Sequence, residues 1–192
     1  MTSNLWRLGA VEPGHKIRCR EVSAREPTQG MLARIAEVNP RINALPFVMA
    51  ETALAAAGAA AAAQACGDAP GPLRGMPVTV DIDVAGIATT DAADALKHHI
   101  ASNDSPWVAA LQDAGAIAHG NDYGGSVRAP AWDCGVVGLC SAGGRIPSYK
   151  ASAPNRILSN QQMSAQGPLT RNVAGARLAL QVMSRGSALD PQ

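Results

Sequence analysis

The segment from Gly120 to Gly144 is so rich in glycine that backbone geometry, more than side-chain packing, decides what it can form. Glycine adopts φ angles that other residues avoid, and it lets a backbone approach a neighbouring chain or a ligand closely. Two consecutive glycines, Gly124 and Gly125, stand directly before Ser126. We therefore expect a compact loop lined by backbone groups, and close approach to a ligand is one use of such a loop.

Length and charge limit what surrounds this loop. A chain of 192 residues with 47% hydrophobic residues can bury one core, so we predict a single domain over residues 1–192. Aromatic residues make up only 3%, which leaves Val, Ile and Leu to build that core. The net charge of +1 gives no broad attraction for phosphate or anionic lipid, so neither nucleic acid nor a membrane is an expected partner.

The predicted location of the protein rests on two segments that resemble neither a membrane span nor a secretory signal. The alanine-rich run 53–65 is shorter than the roughly 20 residues that a bilayer span requires, and residues 1–7 carry no apolar stretch behind their charges. A cytoplasmic location is therefore the default expectation. The cysteines fit no common zinc spacing and are predicted to be reduced structural thiols: Cys19, Cys66, Cys134 and Cys140.

Capping residues and hydrophobic periodicity predict four helices. The first begins at a capping box of Ser23 and Glu26 and stops at Asn39-Pro40. The others cover residues 49–66, a segment capped by Ser105 that starts with Pro106 and ends at Gly115, and roughly residues 171–184. An irregular connector is expected at 67–77, with short strands at 78–84 and 116–118. This alternation predicts an α/β fold with a partly parallel sheet.

The chemistry of the glycine-rich loop is that of acyl transfer. Consecutive glycines allow successive backbone N–H groups to converge on one point, and a serine directly after them places a hydroxyl beside these donors, so a nucleophile and donors for a negative oxygen are expected together. One such donor can be worth roughly 3 kcal/mol. The loop is no G-x-S-x-G elbow, because Arg128 takes the place of the closing glycine, and no P-loop. Taken alone, Gly-Gly-Ser is more typical of a tight turn.

A longer match gives the loop its context. The segment from Gly120 to Leu139 closely resembles the nucleophile region of the amidase signature family. Other segments resemble the family in the same order: Leu5-Trp6-Arg7-Leu8, Ser23-Ala24-Arg25-Glu26, Ala33-Arg34-Ile35 through Val38-Asn39-Pro40, Gly71-Pro72-Leu73 through Gly75-Met76-Pro77-Val78, and Gly167-Pro168-Leu169-Thr170-Arg171. The resemblance covers nearly the whole chain.

The resemblance implies a mixed, twisted β-sheet covered by helices, and hydrolysis of a carboxamide C–N bond by a Ser–cis-Ser–Lys triad without metal or cofactor. By motif position, Ser126 matches the nucleophile. The backbone amides that match the oxyanion hole are those of Tyr123, Gly124 and Gly125. Asp122 and Arg128 lie where the family fixes the loop, so they are expected to be supporting residues.

The chain departs from the family at the groups that activate the serine. The family's base lysine belongs to a run resembling Gly-x-Pro-Val-x-Val-Lys-Asp, whereas Val80 is followed here by Asp81. The chain's lysines all lie outside that strand: Lys16, Lys97 and Lys150. The glycine- and serine-rich loop that carries the cis-serine is also missing, since residues 114–117 run directly into 118–122. The long C-terminal part of the relatives is expected to be absent as well.

Two hypotheses follow from these departures. The first is a shortened amidase whose Ser126 survives but turns over poorly, because a serine hydroxyl without a base is a weak nucleophile. The second is a non-catalytic remnant that binds an amide or carboxylate ligand or a full-length relative. A lost part of a sheet leaves edges unpaired, so association into homo-oligomers is expected in either case.

Other polar residues are expected to have ordinary roles. His119 lies seven residues before Ser126, but a histidine is common there in relatives, so a role as replacement base is not favoured. The adjacent His98 and His99 have no partner at metal-ligand spacing. Asp81 and Asp83 share one strand face and are expected to form an exposed polar surface rather than a catalytic pair.

Overall fold

The computed structural model describes residues 2–45, 47–68, 71–73, 75–77, 79, 83–89, 98–114, 120–122, 126–150, 163–188 and 190. A 3₁₀ helix at Thr2–Arg7 precedes the regular elements, which follow in this order: α1 (Val11–Arg18), α2 (Arg25–Ile42), α3 (Ala50–Ala65), α4 (Pro106–Asp113), β1 (Gly120–Asp122), α5 (Arg128–Cys134), β2 (Val137–Gly138), β3 (Ala165–Gly167), β4 (Leu169–Thr170) and α6 (Val173–Met183).

The chain divides into two compact units. The first comprises Met1–Pro77 with Ala114–Ala116, and the second comprises Val78–Asp113 with Ile117–Gln192. The first holds helices α1 to α3, and the second holds the strands together with α4, α5 and α6. The single domain over residues 1–192 stays a prediction.

Helix α2 is the centre of the first unit and differs from its prediction at both ends. Its N-cap is Ala24 rather than Ser23, and no side chain caps it. It also continues through Pro40 to Ile42, so the predicted stop at Asn39-Pro40 is wrong. A proline in the last turn removes one helical N–H donor without forcing the chain out of the helix.

The end of α2 is set by asparagine chemistry. Asn43 adopts the left-handed conformation, with φ of 47°, and its N–H donates to the Asn39 carbonyl oxygen at 2.7 Å. The Asn39 side chain then clamps the backbone of Leu45, accepting from its N–H and donating to its carbonyl oxygen, both at 2.8 Å. Asparagine tolerates this backbone conformation better than most residues do.

The alanine-rich helix and the connector after it agree with the sequence prediction. Helix α3 spans Ala50–Ala65, and the described residues between 67 and 77 form turns and irregular chain. Gly75 lies here at φ +79°, where a Cβ would be 2.4 Å from the Ala24 Cβ. The Leu73 N–H donates to the Ala114 carbonyl oxygen at 3.1 Å. Glycine at position 75 thus lets the connector approach Ala24 closely within the first unit.

The core of the second unit lies between α4 and α6. Trp107, Val108 and Leu111 of α4 are buried, as are Val182 and Met183 of α6. Helix α6 begins at Asn172, whose side-chain oxygen accepts from the Gly175 N–H at 2.9 Å. The predicted helix over roughly 171–184 is therefore confirmed.

Helix α4 starts at Pro106 as predicted, but Ser105 does not cap it with its hydroxyl. The Ser105 Oγ is buried and has no hydrogen-bond partner among the described residues. Its backbone carries the connection instead: the N–H donates to the Asp83 carbonyl oxygen at 3.1 Å, and the carbonyl accepts from Ala109. Asp83 is fully buried, so its predicted place on an exposed polar face is wrong, and Asp81 lies outside the described residues.

The described strands pair antiparallel, β1 with β3 and β2 with β4. The predicted strand at 116–118 and most of the one at 78–84 lie outside the described residues, as do Gly115 and His119. Helices packed beside small sheets confirm the α/β class. All four cysteines are exposed thiols outside any disulfide, so they contribute nothing to the core. Within the described ranges, no helix combines the length and apolarity needed to cross a bilayer.

Candidate functional site

Ser126 lies between the end of a strand and the start of a helix. Strand β1 ends at Asp122, and α5 begins at Arg128 with Val127 as its N-cap. Ser126 is exposed, whereas its neighbour Val127 is fully buried. The chain is thus anchored one residue after the serine, which leaves the hydroxyl side accessible.

Both sides of this loop and helix are attached to one segment, 165–170. Before the loop, β1 pairs with β3 in the register Gly120 with Gly167, and Asp122 with Ala165. After the helix, Val137 of β2 faces Thr170 of β4. The segment 165–170 therefore holds both the strand before the serine loop, β1, and the strand after helix α5, β2.

Residues 165–168 form backbone hydrogen bonds on two sides, to β1 and to the chain at 139–141. The Leu139 N–H donates to the Pro168 carbonyl oxygen at 3.1 Å. Ser141 donates to the Gln166 carbonyl oxygen from its N–H at 3.4 Å and from its Oγ at 2.7 Å. Residues 165 and 167 meanwhile face β1. Because successive groups of a strand point to opposite sides, residues 165–168 join β1 to the chain at 139–141.

Two glycines allow these close approaches. A Cβ on Gly138 would lie 2.6 Å from the Ala131 Cβ and 2.7 Å from the Val127 carbonyl oxygen. A Cβ on Gly167 would lie 1.7 Å from the Leu139 carbonyl oxygen. Real side chains do not fit at such distances, so both positions need glycine for the backbone to pack. Gly138 holds β2 against the start of α5, next to Ser126.

The structure accounts for part of the predicted site. Ser126 and Arg128 are exposed, and Asp122 ends the paired strand β1. The predicted oxyanion donors lie outside the described residues: Tyr123, Gly124 and Gly125. The catalytic and supporting roles of these residues stay predictions.

The roles of two groups of residues were not predicted from the sequence. Gly138 and Gly167 were not distinguished from the other glycines, because their importance depends on partners that lie far away in the sequence. His15 and Cys19 were also missed, although their i, i+4 spacing on one helix was a readable signal. Together with Glu21 they place an imidazole, a thiol and a carboxylate within 4.8 Å of one another.

Comparison with known proteins explains the strand, serine and helix arrangement. A family profile described as Amidase matches residues 26–119 and 116–192. The chain is 34% identical over 242 residues to an indoleacetamide hydrolase of Bradyrhizobium diazoefficiens, covering 97% of this chain and 46% of that protein. It is 31% identical over 241 residues to an amidase of Pseudomonas putida, covering 99% and 50%.

Solved structures agree in fold. A bacterial aryl acylamidase that belongs to the amidase signature enzymes superposes with a TM-score of 0.86 at 20% identity, covering 96% of this chain and 49% of that one. The chain spans about half the length of these relatives. The aligned region in the hydrolase exceeds the 192 residues of this chain, so internal positions of the relative have no counterpart here.

The two matched pieces of the family profile meet at residues 116–119, where the sequence predicts a join across an absent segment. The second piece covers both the predicted nucleophile loop and the segment 165–170, to which the two flanks of the loop are bonded. On this match, the chain belongs to the amidase family.

Proposed function

We propose that this chain is an amidase-type hydrolase of a small carboxamide, with Ser126 as nucleophile and with turnover impaired by the loss of its base. The observation that carries the proposal is the exposed Ser126 on a loop whose two flanks are fixed to the segment 165–170. A serine held between a strand and a helix is accessible to a substrate without being free to move away.

The reaction would follow the usual course of acyl transfer. The Ser126 Oγ attacks the amide carbonyl carbon, and the carbonyl oxygen takes the negative charge facing the amides of Tyr123, Gly124 and Gly125. The C–N bond breaks, the amine leaves with the proton given up by Oγ, and an acyl-serine ester remains. Water then adds to the ester, releasing a carboxylic acid and restoring the hydroxyl. Asp122 and Arg128 would support the loop.

The weak step is the proton transfer. In the resembling family a lysine and a cis-serine carry the proton from the nucleophile, and this sequence lacks both groups at their motif positions. Serine triads that lose a member retain roughly 10³ to 10⁴ over water through the oxyanion hole and binding. We therefore expect trace hydrolysis, with the acylation step slow.

The alternative is a non-catalytic protein that uses the same loop to bind an amide, a carboxylate or a full-length relative. The missing lysine and serine loop favour this alternative, while the serine loop itself favours retained chemistry. The two differ in one property, namely whether Ser126 forms a covalent bond with a reactive acyl or phosphonyl group.

A serine-reactive fluorophosphonate tests the proposal. The folded chain is treated with the reagent, and the adduct is located by peptide mass spectrometry. We expect slow labelling at Ser126 that disappears after denaturation and in Ser126→Ala, while Ser102→Ala, which removes another exposed serine, leaves it unchanged.

Each outcome of this experiment decides between the candidates. Labelling of Ser126 with only trace carboxamide hydrolysis supports the impaired enzyme. A folded protein that never reacts at Ser126 is instead the binding remnant. Rapid hydrolysis that depends on Ser126 would contradict the proposed impairment, because it requires a base, and the sequence has no lysine at the motif position of the family's base.

We further propose that the chain associates with itself through its sheet edges. Among the described residues, β3 is bonded on both sides, to β1 and to residues 139–141, whereas β1 and β2 each have a described strand partner on one side only. Strand edges with unpaired N–H and carbonyl groups tend to pair with another chain. A small-molecule carboxamide and a second copy of this chain are therefore the proposed partners, with neither nucleic acid nor a membrane among them.

A further inference from the structure

The last turn of α1 brings three different metal-binding side chains together. His15 and Cys19 lie one helical turn apart, and both ring nitrogens of His15 are 3.7 Å from the Cys19 Sγ. One ligand atom from each of these residues and from Glu21 lies within 4.8 Å of the others, and all three residues are exposed. We call these three residues the α1 cluster.

The backbone after α1 is folded so that Glu21 returns to the helix. Arg20 adopts φ of 58°, and its N–H donates to the Ile17 carbonyl oxygen at 3.0 Å. The Glu21 N–H donates to the Lys16 carbonyl oxygen at 2.9 Å. This pair of bonds is the Schellman motif, in which glycine usually takes the left-handed position. A non-glycine residue there costs of order 1–3 kcal/mol, so this turn is held against a local preference.

The spacing of the cluster matches a tetrahedral metal ion. With Zn–S near 2.3 Å and Zn–N near 2.0–2.1 Å, sulfur and nitrogen on one tetrahedral zinc lie about 3.6 Å apart. The observed 3.7 Å between Cys19 and His15 is close to that edge. A thiolate, an imidazole and a carboxylate together favour Zn²⁺ over Mg²⁺ or Ca²⁺, which prefer oxygen ligands alone.

A lysine lies beside the cluster. The Lys16 Nζ is 2.9 Å from the Glu21 Oε2. This hydrogen bond and the lysine charge lower the pKa of the Glu21 carboxyl below its usual value. The carboxylate still has Oε1 to offer to an ion. Because an ammonium group repels a dication, Lys16 should weaken metal binding.

We propose that His15, Cys19 and Glu21 form a surface binding site for a divalent transition metal ion of the zinc class, with water as the fourth ligand. Three protein ligands and an open position are the pattern in which zinc also accepts an exogenous group. This site uses residues of the first compact unit only and does not depend on the proposed amidase chemistry.

Cobalt(II) is the probe, because a Co²⁺–thiolate bond absorbs in the near ultraviolet and Zn²⁺ displaces the ion. The full chain is titrated with Co²⁺ under reducing conditions and then with Zn²⁺. We expect one ion per chain, loss of the thiolate band in Cys19→Ser, and at least about tenfold weaker binding in His15→Ala and Glu21→Gln. Cys66→Ser, which removes another exposed thiol of the same unit, should bind as the unchanged protein does.

The variant Lys16→Met distinguishes metal binding at the α1 cluster from metal binding at another cysteine. Removing the ammonium should tighten Co²⁺ binding several-fold, whereas a metal bound at another cysteine would be unaffected. The proposal is wrong if no thiolate band forms, if the band survives in Cys19→Ser, or if it persists in the urea-unfolded chain. Circular dichroism verifies that each variant is folded. We expect all of them to fold, because the three ligand residues are exposed.

Discussion

At the scale of single residues, the backbone around Ser126 packs closely because two glycines have no side chain in the way. Gly167 and Gly138 each take a place where a methyl group would overlap a neighbouring backbone or side chain. Other glycines, such as Gly186, face open space. The composition of the chain does not distinguish these two kinds of glycine, but their surroundings do.

The substitution Gly167→Ala should destabilise the protein strongly. Its Cβ would meet the Leu139 carbonyl oxygen at 1.7 Å, so β3 and the chain at 139–141 would have to separate. Overpacking of this kind costs typically 1–3 kcal/mol and occasionally more, and contact with backbone puts this case at about 3 kcal/mol or above. Urea unfolding measures the loss.

Gly186→Ala is the matched control, because no atom of the described residues beyond its two chain neighbours lies within 4 Å of the added methyl group. It should leave the free energy of unfolding unchanged within about 0.5 kcal/mol. Equal stabilities for the two variants would contradict the close packing of β3 against residues 139–141.

At the scale of elements, each helix end has its own chemistry. Helix α6 begins with a side-chain cap from Asn172, α2 ends through Asn43, and α4 begins without a hydroxyl cap although Ser105 stands in the capping position. A capping residue in the sequence therefore does not by itself make a capping hydrogen bond: the Ser105 hydroxyl is buried and has no partner among the described residues.

Replacing Asn172 by alanine should destabilise the second unit by about 1 kcal/mol, because the Gly175 N–H would lose its acceptor. Asn172→Asp keeps an oxygen at the same place and should retain most of the stability. Thermal unfolding of the two variants measures the difference. An alanine variant as stable as the aspartate variant would show that the cap contributes nothing.

These elements also show what the sequence could predict. Periodicity and composition found α3 and α6 nearly to the residue, since local helix preference and apolar spacing decide them. The predicted end of α2 lies too early in the sequence. Proline usually ends a helix, but in the last turn the loss of one N–H donor costs little, so α2 continues through Pro40 to Ile42. Asp83 is buried, and its carbonyl oxygen accepts from the N–H of Ser105, a long-range contact that no local pattern contains. The attachment of both loop flanks to 165–170 is likewise set by long-range pairing.

At the scale of the whole molecule, several large apolar side chains of the described residues are exposed. In the second unit Trp132 is 87% exposed and Val173 71%, although tryptophan is usually well covered. A side chain as large and as exposed as that of Trp132 is therefore the position at which contact between copies is best tested. Strand edges and apolar groups thus both favour self-association.

We expect the purified chain to associate as its concentration rises, with an average mass above the 19.6 kDa of one chain. Light scattering after size-exclusion chromatography measures this mass. Trp132→Gln should shift the distribution toward the monomer, because it removes the largest exposed apolar side chain of α5. Asp133→Ala, at the next exposed position of the same helix, should not. If the chain stays monomeric at all concentrations, neither the strand edges nor Trp132 mediates contact between copies, and the proposed homo-oligomer is wrong.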